Sequence, residues 1–153
     1  MWVCFADQRP NVIVLFVDDM GYSDLSCMGA EINTPNLDKL AGNGILFTQA
    51  YNTAKCYPSR VSLLTGSYFQ ASDREFNNTM TVAEMVGPTG YRTYWVGKHH
   101  AGFDPRTRGF DHFYGFLGGA NNCWNPGNAP APGGKMPAIS GVHKWYFDGP
   151  EPV

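Results

Sequence analysis

The most strongly patterned stretch of the chain is Asn11 to Val17 (NVIVLFV), a continuous apolar run dominated by β-branched residues. Such a run predicts a strand buried on both faces. It stops abruptly at Asp18-Asp19-Met20-Gly21. Thr34-Pro35 then predicts the start of a helix, with threonine as N-cap and proline in the first turn. Leu37, Leu40 and Ala41 share one face of that helix, and Gly42 and Gly44 close it. Ile45 to Tyr51 (ILFTQAY) is a second predicted strand. Helices are predicted over Pro58 to Leu64, stopped by Gly66, and over Thr79 to Val86, ended by Gly87-Pro88. Tyr91 to Val96 (YRTYWV) has strand composition, with Gly97 just after it.

Strands alternating with helices imply an α/β layered architecture around a largely parallel sheet. The pattern breaks down near Gly118. Residues 118–144 carry many Gly, Pro and Asn residues with no helical period, which predicts a long irregular loop that is functional or leans on something else. Trp124, Trp145 and Tyr146 lie in or beside it, and aromatic side chains there suit either stacking on a sugar or packing beneath the loop. No internal repeat is visible. The ending DGPEPV supplies no closing element, so the chain is expected to be an incomplete part of its domain.

Composition narrows the class. At 153 residues, with 43% hydrophobic and 16% charged residues, the chain suits one globular core rather than disorder. A net charge of −2 leaves no electrostatic footprint for nucleic acid. The longest apolar run is too short to span a bilayer. Residues 1–8 (MWVCFADQ) read either as the tail of a secretory signal, though without its basic start, or as an ordinary disordered start. Residues 9–153 form the body of the domain. Cysteines at 4, 27, 56 and 123 do not define a disulfide framework, and the redox compartment stays open.

Three segments carry candidate chemistry. Asp18 and Asp19 follow the first predicted strand, where ligands gather in open parallel sheets. Side chains alternate along a strand, so both carboxylates reach one ligand only if the chain bends there; Gly21 allows such a bend. Adjacent carboxylates suit a hard cation, and an exposed acidic turn is the plain alternative. Cys56-Tyr57-Pro58-Ser59-Arg60 opens a predicted helix, so that Cys56 lies where backbone N–H groups favour anions. Arg60, one turn in, brings a planar, permanently charged fork suited to an oxyanion. Gly97-Lys98-His99-His100-Ala101-Gly102 follows a predicted strand, and a lysine and histidine there can clamp an anion and protonate a leaving oxygen. Taken singly, such residues are common on surfaces.

Together, RPNVIVLFVDDMGYSDLSCMG, TPNLDKLAGNGILFTQAY, CYPSRVSLLTG, GKHHAG and RGFDHFYGFLGG resemble, in order, the sulfatase family of the alkaline-phosphatase-like superfamily. The match covers roughly residues 9 to 119, with a weaker one at WYFDGPEPV. The resemblance implies a three-layer α/β/α fold, of which this chain is the N-terminal part. It implies a sulfuric ester hydrolase in which a maturation enzyme oxidises Cys56 to formylglycine. One hydroxyl of the aldehyde hydrate, its pKa lowered by a bound cation, would attack the sulfur of a sulfate ester. The second hydroxyl would then expel sulfate by collapse to the aldehyde, a release that a plain serine cannot perform.

By the same carry-over, Asp18, Asp19 and the modified Cys56 bind the cation, calcium in most relatives with magnesium as the alternative. Arg60 holds the hydrate, Lys98 contacts sulfate oxygens and His100 orients the hydrate or assists its collapse. His99 stands where relatives often carry tryptophan, and the resemblance gives it no role. Ser59 and Thr65 shape the turn and the helix end. The family's other metal ligands and its further lysine and histidine residues come from well downstream, and no matching segment precedes Val153. The implied partners are a sulfated small molecule or carbohydrate and the maturation enzyme. A phosphate or phosphonate ester hydrolase and an inactive truncated fragment are the alternatives. A periplasmic, secreted or lysosomal location is favoured over a cytoplasmic one.

Overall fold

A computed structural model of the chain describes residues 9–72, 76–121 and 146–152. It divides into two compact units, Met1–Thr48 and Gln49–Val153. The first 8 residues, most of the 118–144 loop, and Trp124 and Trp145 lie outside the described residues. No helix among the described residues is long and apolar enough to cross a membrane.

In the first unit, helix α1 spans Pro35–Asn43 and follows a 3₁₀ turn at Ser26–Met28. Proline sits in the first turn of α1 as expected, since its missing N–H is one the helix start would leave unpaired anyway. Thr34 precedes it, but its side chain does not cap the helix. Its hydroxyl instead donates to Asp38 Oδ1 at 3.2 Å, and Asp38 also accepts from the Cys27 backbone N–H at 2.9 Å. The Ser26 hydroxyl donates to the same carboxylate. An ionised acceptor forms the stronger bond, so the threonine serves the link between turn and helix rather than the helix end. Gly44, not Gly42, occupies the C-cap; Gly42 lies within the helix.

The strand expected at Asn11 to Val17 does not form, and neither does the one at Ile45 to Tyr51. Val12, Ile13 and Leu15 are 74%, 81% and 74% exposed. β-branched composition favours an extended backbone, but a strand exists only when a neighbour completes its ladder. No ladder partner for either run occurs among the described residues.

The second unit holds the buried core. Helix α2 spans Cys56–Thr65 and ends at Gly66, whose φ of 66° is the left-handed C-cap geometry that glycine adopts without penalty. Helix α3 spans Val82–Val86, shorter at its start than the pattern predicts. Thr81 accepts the Glu84 N–H while the Glu84 carboxylate accepts the Thr81 N–H, and this reciprocal cap fixes where the helix begins. Strand β1 spans Tyr94–Lys98, β2 His112–Phe116, β3 Phe147–Asp148 and β4 Glu151–Pro152, in the spatial order β1-β2-β3-β4. The β1–β2 pairing is parallel as expected, whereas β2–β3 and β3–β4 are antiparallel, so the sheet among the described residues is mixed.

Gly97 and Gly115 face each other across β1 and β2. A Cβ on Gly115 would stand 2.0 Å from the Gly97 carbonyl oxygen, which leaves room only for glycine. Val61 and Leu64 of α2 and Ala83 of α3 join Phe76, Ala101 and Phe110 in the core, with Tyr57, Phe69, Trp95 and Phe103 packed against it. The β1–β2 connection is pinned by Arg106, which pairs with Asp104 and donates to the carbonyls of Gly149 at 3.2 Å and Pro150 at 3.0 Å. Tyr146 lies edge-on against Phe116 at 5.5 Å.

Candidate active site

Cys56 is the first residue of α2, with Lys55 at the N-cap. Its thiol is free and half-buried. The approach is shaped by Asn52, whose side-chain oxygen accepts the Ala54 N–H at 2.6 Å, and by Ala54 itself, at a φ of 52°. The hydroxyls of Thr53 and Ser59 meet at 2.7 Å and fasten this turn to the first turn of the helix. The first N–H groups of a helix carry partial positive charge that no intrahelical carbonyl offsets, which favours an anion beside Cys56.

Arg60 follows Cys56 by four positions, so the two lie on one face of α2. It is only 3% exposed. Its Nη1 donates to the Lys98 carbonyl at 2.5 Å, across 38 residues of sequence. That bond ties the start of α2 to the end of β1, of which Lys98 is the last residue. His100 stands two residues further on, with its N–H donated to the Leu117 carbonyl at 3.1 Å and a φ of 43°, which few non-glycine residues adopt. The second unit thus joins the elements bearing Cys56, Arg60, Lys98 and His100.

Tyr57 and Gly119 touch His100 without any flag in the sequence pattern. The Tyr57 ring meets the imidazole edge-on at 5.5 Å. A Cβ on Gly119 would lie 2.7 Å from the imidazole Cε1. The signal that could have found them is weak: a residue beside the cysteine and a glycine pair after an aromatic strand.

His99 points the other way. It is 0% exposed, with Trp95, Phe103 and Phe113 around its ring at 5.3, 4.8 and 6.2 Å. Neither ring nitrogen has a hydrogen-bond partner among the described residues. Burial, above all, pushes its pKa down to about 4; Arg60 and His100 push the same way and Asp104 opposes them. His99 is a neutral residue of the core.

Asp18 and Asp19 belong to the first unit. The backbone bends at this pair, and Asp19 takes a φ of 54°. The bend that two neighbouring carboxylates need to serve one ligand is therefore present. Their oxygens are of the right chemistry for a hard divalent cation. Among the described residues no group of three or more His, Cys, Asp or Glu side chains comes together as a complete metal site.

The sulfatase family model matches residues 10–140. The chain is 38% identical over 140 residues to an arylsulfatase of Klebsiella aerogenes, covering 77% of this chain and 30% of that protein. It is 43% identical over 112 residues to an N-acetylgalactosamine-6-O-sulfatase of Bacteroides thetaiotaomicron, covering 65% and 22%. The crystal structure of Ps i-CgsB superposes with a TM-score of 0.65 at 38% identity, over 75% of this chain and 30% of that one. Its complex with k-i-k-neocarrahexaose gives 0.59 at 36% identity, over 69% and 27%. The chain spans less than a third of the length of these curated relatives. The fold class is the alkaline-phosphatase-like α/β arrangement, and the chain belongs to the sulfatase family.

Proposed function

We propose that the protein contributes the nucleophile-bearing part of a sulfatase that hydrolyses sulfate esters of carbohydrates. The observation that carries the reading is the Arg60–Lys98 hydrogen bond, which joins the cysteine-bearing helix end to the strand end that presents Lys98 and His100. Family membership and the intact C-x-P-S-R segment support it. The N-acetylgalactosamine-6-O-sulfatase among the relatives and the oligosaccharide held by Ps i-CgsB favour a sulfated carbohydrate as substrate.

Oxidised to formylglycine by its maturation enzyme, Cys56 supplies a hydrated aldehyde as nucleophile. The start of α2 and the buried Arg60 guanidinium hold negative charge at that position. Lys98 binds sulfate oxygens, its compact ammonium serving as a point charge. His100 takes or gives the proton of the hydrate hydroxyl. Asp18 and Asp19 supply two of the oxygen ligands of a calcium or magnesium ion, short of the six to eight oxygens calcium takes, so other residues complete the site. When bound, the cation lowers the pKa of a hydrate hydroxyl. A periplasmic, secreted or lysosomal location belongs to the same proposal.

The experiment is co-expression with a formylglycine-generating enzyme, followed by kinetics on an aryl sulfate and the matching aryl phosphate. Expected are an aldehyde at Cys56 by peptide mass spectrometry and a preference for sulfate. An unmodified thiol at Cys56 with no sulfate turnover would overturn the reading; a preference for phosphate would move it to the alternative ester.

A further inference from the structure

His100 stands at the end of a chain segment that gives it no regular support. It follows β1, its φ of 43° is unusual for a residue with a side chain, and its backbone N–H donates to the Leu117 carbonyl beyond the end of β2. An imidazole that must meet one small group cannot be left to swing from such a backbone. Two neighbours restrict it. Tyr57 lies edge-on to it at 5.5 Å, with the ring planes at 63°. On another side, the space where a Cβ of residue 119 would stand is filled by the imidazole, 2.7 Å from Cε1 and 2.8 Å from Nε2. Gly119 does not take a left-handed φ, so glycine is required there for room and not for conformation.

Tyr57 is itself braced. Phe69 meets its ring edge-on at 5.2 Å. Its hydroxyl fills the space a Cβ on Gly102 would need, at 2.6 Å. Tyr57 also neighbours Cys56 in the first turn of α2, so whatever moves the helix start moves the tyrosine with it.

We propose that Tyr57 and Gly119 form a clamp that fixes the His100 imidazole relative to Cys56, making them positioning residues for the hydrolytic reaction. The inference rests on the sulfatase reading for its kinetic consequence and on the ring contacts alone for its structural one. The variable position of C-x-P-S-R is then more than a spacer, since in this chain it carries the aromatic ring that sets the histidine.

The test uses the matured protein with Tyr57→Leu, Tyr57→Phe, Gly119→Ala, His100→Ala and the Tyr57→Leu/His100→Ala double variant. Tyr57→Leu is expected to lower kcat by roughly ten- to a hundredfold with little change in KM, the loss typical of a group displaced by a fraction of an ångström. Tyr57→Phe, which keeps the ring, recovers most of that loss. In the His100→Ala background the leucine change is expected to cost nothing further. Multiplying losses in the double variant would overturn the clamp, as would a Tyr57→Leu loss that appears in KM alone. An independent arm reads the His100 Hε1 resonance and its pH titration by NMR. Both should shift in Tyr57→Leu and in Gly119→Ala, and not in Tyr57→Phe; an unmoved His100 signal overturns the clamp. If the wild-type protein has no sulfatase activity, the NMR arm still decides the clamp, so failure of the function and failure of the inference are distinguished.

Discussion

Replacing His99 with phenylalanine tests the energetics of the site's foundation most directly. The imidazole is fully buried against Trp95, Phe103 and Phe113, and burial pushes its pKa from an ordinary 6.5 down to about 4. In the unfolded chain it binds a proton near the ordinary value, so between these two values the unfolded state carries more protons. Stability therefore falls as pH drops through this window, and the His99 share of the loss is about 3 kcal/mol once pH 4 is reached. The charged groups acting on the ring are Arg60 and His100, which hold the pKa down, and Asp104, which partly offsets them.

Carboxylates complicate the acid end. Asp104 and Asp111 have pKa values below the usual range, chiefly through the Arg106 side chain and the Thr93 backbone respectively, and such groups lose their stabilising contribution on protonation. That loss belongs mostly below pH 5, so a comparison between pH 7 and pH 5 isolates the histidine, whose share over that span is about 2 kcal/mol. Urea unfolding followed by tryptophan fluorescence at the two pH values is the measurement. The wild type should lose about 2 kcal/mol more than His99→Phe on acidification. At pH 7 the variant should be at least as stable, because it removes two buried ring nitrogens that have no partner among the described residues. Equal losses in the two proteins would refute the argument, since they would mean that the imidazole titrates normally in the folded state.

Arg60→Lys keeps the charge but loses the planar fork donating to the Lys98 carbonyl; aryl sulfate kcat should fall at least roughly tenfold and urea stability by about 1.5–3 kcal/mol, with an unchanged enzyme refuting the link. Thr81→Ala removes both the acceptor for the Glu84 N–H and the hydroxyl that donates to the Arg108 carbonyl at 2.7 Å, and should cost about 2 kcal/mol in urea unfolding, whereas Thr81→Ser should cost far less. Gly115→Ala sets a Cβ against the Gly97 backbone, which has no side chain to swing aside; expected are a melting temperature lower by several degrees or loss of soluble protein, and a wild-type melt would contradict the register. Chelation of the matured protein should abolish sulfate turnover and added calcium or magnesium should restore it; turnover indifferent to chelator would sink the proposed role of Asp18 and Asp19.

The sequence revealed most where the determinants of structure are local. Gly66 stops α2 through its own backbone freedom, and the C-x-P-S-R segment places Cys56 and Arg60 one turn apart by helical spacing alone. Legibility fell where the determinant is a distant partner. The strand expected at Tyr91 to Val96 forms as Tyr94–Lys98, because its bounds are set by pairing from His112 to Phe116. Nothing periodic marks that partner strand: HFYGF has a glycine where alternation would place a side chain, and the glycine is there for Gly97. Val12 to Val17 shows the converse failure, strand composition without a ladder among the described residues. The Arg60–Lys98 bond, spanning 38 residues, leaves no periodic trace at all.

That bond also bears on why an arginine occupies this part of α2. Taking a guanidinium out of water costs several kcal/mol, and an apolar residue of similar volume beside Val61 and Leu64 would commonly serve stability as well or better. A stable core alone therefore gives no reason to place Arg60 at 3% exposure. A low-dielectric setting does, however, strengthen the field of a fixed cation on a neighbour one helical turn away, and that neighbour is Cys56. The Lys98 carbonyl accepts one of its N–H groups, so the charge is held in one orientation while the same bond draws the end of β1 toward the helix. Stability sacrificed for a fixed charge is the usual trade at a reactive site, which is what the nucleophile role proposed for Cys56 requires of the start of α2.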